Sequence, residues 1–118
     1  MSINKKLQDY KGRKVEIWTP EGADFTLEFR EPSGAFAAKM ARDSKKKKID
    51  VDEVTQGFEL MSEVVYIDGE KAFENGAQVE EYFGDKGPGG AVMMNEMMRR
   101  SALVVGMKQE DIEQAVKN

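Results

Sequence analysis

The sequence contains neither cysteine nor histidine. Without cysteine, disulfide bonds and thiol catalysis are excluded, and nothing favours an oxidising compartment. Without histidine, the most common general base and the most common zinc ligand are both missing. Carboxylates, lysines and serines remain, but none of them pair at a recognisable catalytic spacing. We therefore expect a non-enzymatic protein with no catalytic residue, metal site or cofactor.

Long apolar segments are also missing. No run of about 18 apolar residues occurs, so no membrane-spanning helix is expected. Residues 1–14 contain no apolar segment of the kind found in secretory signals. With 118 residues, 40% hydrophobic and 34% charged, the chain is expected to form one soluble domain over residues 1–118 with one modest core. These features together predict a cytoplasmic protein.

Charge is distributed unevenly along the chain. A basic block contains a run of four lysines, and the acidic segment that follows, residues 50–85, contains Lys71 as its only cation. The two blocks are either solvated faces or surfaces that attract each other and make the protein a homo-oligomer. The lysine run lacks aromatic neighbours and broad positive charge, so nucleic-acid binding is not expected. The candidate self-association residues are Lys45, Lys46, Lys47 and Lys48.

The N-terminal region predicts a β-hairpin. Apolar and polar residues alternate in two short segments, which flank a turn signal at residues 20–22. Val15 and Ile17 share one side of the first segment, and Leu27 and Phe29 share one side of the second. We therefore expect a hairpin over residues 14–30 with one apolar face. Residues 1–12 before it are compatible with a frayed helix or a disordered arm.

Helical patterns fill the rest of the chain. Ser33, Asp50 and Asn75 are predicted N-caps, the last two in capping boxes with a Glu or Gln three residues later. The helix that starts at Asp50 is expected to run to about Tyr66, and a final short helix is expected over residues 108–116. The expected fold is α+β, with the hairpin packed against a mostly helical part of four to five helices, residues 33–118. The predicted core residues are Phe25, Leu27, Phe29, Phe36, Met40, Val54, Phe58, Met61 and Val65.

Two segments invite a ligand-binding interpretation. The glycine-rich residues 84–90 have no clear strand before them and no Gly-Lys-Ser/Thr after them, so they predict a hinge rather than a phosphate loop. The carboxylates of Asp50, Asp52 and Glu53 lack the spacing of a calcium loop. The start of a helix accounts for them instead, because its dipole favours negative charge there.

A methionine-rich helix over residues 91–105 is the most informative feature. Its apolar surface is wider than one packing seam needs, and Gly106 follows as a C-terminal cap. Methionine adapts to irregular partners, so this helix is either an ordinary core helix or a binding surface that a partner covers. The candidate partner-binding residues are Val92, Met93, Met94, Met97, Met98, Leu103 and Val104.

Several short motifs resemble the tail assembly chaperones of long-tailed bacteriophages and prophages. The segment Val-x-Ile-Trp-Thr-Pro-Glu-Gly, residues 15–22, is similar to their early Pro-Glu turn. Residues 64–73, Val-Val-Tyr-Ile-Asp-Gly-Glu-Lys-Ala-Phe, resemble a helix that runs into an Asp-Gly turn followed by Phe. Residues 98–106 resemble their late helix and its final glycine, and the resemblance extends to residue 118.

This resemblance implies a function and a set of partners. Such a chaperone acts in the host bacterial cytoplasm, where it keeps the long helical tape measure protein soluble and helps to recruit the tail tube protein. In many relatives a ribosomal frameshift adds a C-terminal extension that contacts the tube protein. Two alternatives stay open: a structural tail completion or connector protein of the virion, and a small bacterial adaptor protein.

Overall fold

The computed structural model describes residues 3–10, 12–45 and 53–106, excluding the side chains of residues 43–45 and 53–54. Within these residues it contains an antiparallel sheet in the order β1-β2-β3-β4 and five helices, which confirms the α+β class. None of these helices has the length and apolarity that crossing a membrane requires. The elements are α1 (Lys5–Asp9), β1 (Val15–Trp18), β2 (Leu27–Arg30), α2 (Gly34–Lys45), α3 (Glu53–Val64), β3 (Val65–Ile67), β4 (Glu70–Lys71), α4 (Gly76–Tyr82) and α5 (Ala91–Val104).

The sheet consists of two hairpins. The predicted hairpin is confirmed, since β1 pairs with β2. The second hairpin, β3–β4, was not predicted, and the helix expected to reach about Tyr66 ends at Val64 instead. Val65 and Tyr66 favour a strand, and Asp68 and Gly69 close the tight turn with φ angles of 52° and 83°. Pairing of Leu27 with Ile67 then joins the two hairpins into one sheet.

The buried side of β1 is the one that carries Trp18. Trp18 lies opposite Leu27 in the ladder and shares its inner face, where its ring stands 6.4 Å from that of Phe29. Val15 and Ile17 consequently lie on the outer face, 54% and 65% exposed. Burying the large indole removes more apolar area from water than burying either aliphatic side chain, which explains this register.

Two predicted N-caps are confirmed by their hydrogen bonds. The Phe36 N–H donates to Ser33 Oγ at 3.2 Å, at the start of α2. The Gln78 N–H donates to Asn75 Oδ1 at 3.0 Å, and the Gln78 side chain accepts from the Glu74 N–H at 2.8 Å. The capping box at Asp50 and the helix over residues 108–116 lie outside the described residues.

One hydrophobic core lies between the sheet and the helices α3, α4 and α5. Five of the predicted core residues are in it, namely Leu27, Phe29, Phe58, Met61 and Val65. Its other members come from the end of α3, from α4 and from α5. In these helices the sequence pattern did not decide which side is buried. They are Val64, Val79, Met97 and Val104.

Three predicted core residues are not in this core. Phe25 is 36% exposed because it lies in the bend before β2 begins. Phe36 and Met40 of α2 are only half-buried, since α3 and α5, rather than α2, pack against β2. The side chain of Val54 lies outside the described ones.

Candidate partner-binding surface

The glycine-rich segment, residues 84–90, folds back onto the end of α4. The Gly89 N–H donates to the Tyr82 carbonyl at 2.9 Å, and the Gly87 N–H donates to the Gly84 carbonyl at 2.9 Å. A Cβ atom on Gly87 would collide with the Tyr82 carbonyl oxygen, and one on Gly89 would lie 2.5 Å from the rings of Tyr82 and Phe83. The glycines therefore permit close packing here, a role that the hinge interpretation did not include.

An aromatic cluster lies beneath this segment. Phe73 and Tyr82 are in edge contact with centroids 5.7 Å apart, and Tyr82 and Phe83 with centroids 4.8 Å apart. The Tyr82 hydroxyl reaches Met93 Sδ at 3.9 Å, so the cluster continues onto α5. All four side chains are half-buried and leave part of their apolar surface exposed.

Val92 is an exposed apolar residue at the start of α5, directly before Met93 in the chain. Its side chain is 86% exposed. We call Phe73, Tyr82, Phe83, Val92 and Met93 the aromatic–methionine surface. A cleft of about 380 Å³ opens beside it and is lined by Phe73, Gln78, Glu81, Tyr82, Lys86, Gly87 and Pro88.

The predicted partner-binding residues divide between this surface and the interior. Met94 and Met98 are half-buried and pack against the core, and Leu103 is also half-buried. Met97 and Val104 are each 1% exposed and belong to the core. These two are core residues in this fold, because helical spacing places them on the side of α5 that covers the sheet.

An ion-pair cluster anchors the middle of α5. Arg99 Nη2 and Arg100 Nε donate to Glu96 Oε1 at 2.7 and 2.8 Å. The hydrogen bond from Arg99 lowers the pKa of Glu96 and raises the pKa of Arg99, and partial burial opposes both shifts. Arg100 also lies 5.0 Å from the Trp18 ring centroid, so the cluster links α5 to β1.

Among the described side chains, no three acidic residues come together as a group that could hold a metal ion. The shifted pKa values of Glu96 and Arg99 are explained by their mutual pairing, which is a structural role. The apolar side chains of the aromatic–methionine surface can instead be buried by a partner.

The predicted self-association residues cannot be placed on this surface. Lys45 ends α2 and its side chain is outside the described ones, as are Lys46, Lys47 and Lys48. The contribution of Phe73, Tyr82 and Phe83 was also missed from sequence. Two adjacent aromatic residues directly before a glycine run were the available signal, because glycine lets a backbone lie flat against a ring.

Comparison with protein-family models, curated proteins and solved structures found no significant match. The function of the chain is therefore proposed from its own residues and from the resemblance of its short motifs to tail assembly chaperones.

Proposed function

We propose that this protein is a non-enzymatic tail assembly chaperone that binds the phage tape measure protein and helps to recruit tail tube subunits. The observation that carries the proposal is the exposure of Val92, 86%, directly before half-buried Met93, whose sulfur lies 3.9 Å from the Tyr82 hydroxyl. Removing one such aliphatic side chain from water is favourable by about 1.5–3 kcal/mol, so a partner that buries it would gain binding free energy.

The composition of the surface suits a helical partner. Methionine side chains change rotamer at low cost, and aromatic rings supply large contact areas. A long helical protein presents apolar residues at repeated spacings of three and four, which a surface of this kind can accept at many places. A chaperone that meets many similar segments of one partner needs this tolerance more than it needs one rigid fit.

The placement of Met97 and Val104 narrows the proposed contact surface. These residues stabilise the fold, so the contact is assigned to Val92 and Met93 on the first turn of α5 together with the aromatic residues of the aromatic–methionine surface. Binding then requires no movement of α5 away from the core.

Co-expression with a phage tape measure protein tests the proposal. The wild-type chain should raise the soluble yield of that protein, and Val92→Asp should abolish the gain. Because Val92 is almost fully exposed, the variant should retain the wild-type circular dichroism spectrum and melting temperature.

Leu7→Asp is the matched control. Leu7 is also exposed, 68%, but it lies on α1, far along the chain from the proposed surface. This variant should keep full chaperoning activity. No gain in solubility with the wild-type chain would refute the chaperone function. Retention of the protein in purified phage particles would favour the structural tail component instead.

A further inference from the structure

Strand β1 is an edge of the sheet that the described residues form, and part of its backbone points away from that sheet. Residues opposite each other in an antiparallel ladder alternate between those that exchange hydrogen bonds and those that do not. The Glu31 N–H donates to the Lys14 carbonyl at 2.8 Å, so Lys14 and Glu16 are the positions whose backbone groups face β2. The N–H and C=O groups of Val15 and Ile17 therefore point away from β2, and no described strand pairs with that side of β1.

The side chains at the same two positions are apolar and exposed. Val15 is 54% and Ile17 65% exposed, on the outer face of the sheet. The opposite edge, β4, contains only two residues, Glu70 and Lys71, and Lys71 is paired with Glu63 at 3.0 Å. Short, charged edges resist further pairing, whereas a longer edge with aliphatic residues is a template for another strand.

We propose that β1 pairs antiparallel with β1 of a second copy of this chain, which joins two four-stranded sheets into one. The free backbone groups belong to odd-numbered positions, so each hydrogen-bonded pair across the new ladder must join two odd-numbered residues. Opposite residues in a ladder share one face, and the odd-numbered side chains of β1 lie on the outer face. The inner faces of both sheets therefore lie on the same side of the joined sheet. Both sets of helices then cover one side of the joined sheet.

Charge selects the register among the pairings that the backbone permits. A ladder centred on Glu16 would place two glutamates directly opposite each other, which is destabilising. A ladder centred on Val15 places Lys14 of each copy opposite Glu16 of the other and forms two opposite-charge pairs. Among the described residues neither Lys14 nor Glu16 has an ion-pair partner within 4.0 Å, so both are available. The ladder is therefore assigned to the register in which Val15 meets Val15.

Cysteine crosslinking measures this register directly, because the native chain contains no cysteine. In the proposed ladder the two Val15 Cα atoms lie about 5.5 Å apart, within the range of a disulfide bond. The two Ile17 positions are offset by four residues, roughly 13 Å, and are out of range. Val15→Cys should form an oxidised dimer at least tenfold faster than Ile17→Cys. Equal rates, or the reverse order, would overturn the register.

Charge reversal tests the contacts in solution by sedimentation over a protein concentration series. The wild type should form a weak dimer, because pairing of one short edge buries less area than a stable interface. Lys14→Glu and Glu16→Lys should each weaken it about tenfold, and the double variant should restore it. Failure of the double variant to recover would overturn the pairing of Lys14 with Glu16.

Val15→Pro removes one outward N–H without removing a hydrogen bond to β2, so it should abolish the dimer while the monomer keeps its circular dichroism spectrum. A wild-type chain that stays monomeric at concentrations up to about 1 mM would refute the proposal. Replacing Lys46, Lys47 and Lys48 with glutamine should leave the dimer unchanged, and loss of the dimer in that variant would assign association to the lysine run instead. None of these outcomes depends on the chaperone function.

Discussion

Gly57 of α3 faces Met98 of α5 at a distance that leaves little room for a side chain. A Cβ atom on Gly57 would lie 2.9 Å from Met98 Cε and 3.7 Å from its sulfur. A glycine inside a helix costs about 1 kcal/mol of stability relative to alanine. The atoms that such a Cβ would meet belong to the flexible end of the Met98 side chain and not to the backbone.

Gly57→Ala should be neutral or should stabilise the protein by up to about 1 kcal/mol. The alanine gains helix propensity, and the atom it meets is the flexible end of a methionine side chain, which can rotate away. Chemical denaturation measures the difference. Gly87→Ala is the contrasting variant and should lose stability, because its Cβ would meet the Tyr82 and Glu81 carbonyl oxygens, which are backbone atoms. Equal effects of the two substitutions would contradict this explanation.

Phe58→Ala should destabilise the protein by about 3–5 kcal/mol, since it removes a large side chain from the core. Phe25→Ala makes the same chemical change at a position that is 36% exposed and lies before β2, so it should cost less than about 1 kcal/mol. Urea unfolding of both variants gives the comparison. A small loss for Phe58→Ala would show that the core is placed wrongly around α3.

Ser101→Ala should leave stability unchanged or raise it. The Ser101 hydroxyl is fully buried on α5 and has no hydrogen-bond partner among the described residues, so its removal relieves an unpaired polar group. Ser62 is also buried, but its hydroxyl donates to the Glu59 carbonyl at 2.7 Å. Ser62→Ala should therefore cost about 1 kcal/mol. Thermal melts of the two variants give the comparison. A larger loss of stability for Ser101→Ala than for Ser62→Ala would indicate that the Ser101 hydroxyl is hydrogen-bonded.

Glu96→Gln should reveal a pH-dependent contribution to stability. The hydrogen bond from Arg99 holds the pKa of Glu96 below its ordinary value of 4.5 in the folded protein. A carboxyl with a lowered folded-state pKa stabilises the fold above the unfolded-state pKa, and this contribution disappears as the pH falls through the folded-state pKa. The free energy of unfolding of the wild type should thus exceed that of the variant at pH 7. The difference should be less than about 1 kcal/mol, because the pair is partly solvated.

Measuring the free energy of unfolding of the wild type and of Glu96→Gln from pH 7 down to pH 3 tests the direction of this pH dependence. The difference between them should be constant at neutral pH and shrink below about pH 4.5. A difference that grows as the pH falls would mean that Glu96 is stabilised in its protonated form.

Local signals in the sequence predicted much of this fold. Ser33 and Asn75 were correctly placed as N-caps, because a short polar side chain that accepts from an N–H group two or three residues later is a local device. Gly106 was correctly placed as the glycine at the C-terminal end of α5, where it follows the C-cap residue Val105, and its φ of 87° explains why glycine is used there.

Predictions failed where long-range packing decides the outcome. Val65 and Tyr66 fit a helix by periodicity, but pairing with β2 makes them a strand. Met97 and Met93 differ in role because one faces the sheet and the other faces Tyr82, a distinction that spacing alone did not resolve. The inward position of Trp18 similarly depends on its partner Leu27.

The pairing of Leu27 with Ile67 at the centre of the sheet also has a kinetic consequence. Each hairpin closes within its own short segment, whereas the ladder between β2 and β3 joins residues that are far apart in the chain. Loop-closure entropy opposes such a contact until enough of it forms to offset that loss. The two hairpins are therefore expected to form early in folding, and the docking of β2 onto β3 to set the overall rate. Substitutions along that central ladder should slow refolding more than substitutions in either turn.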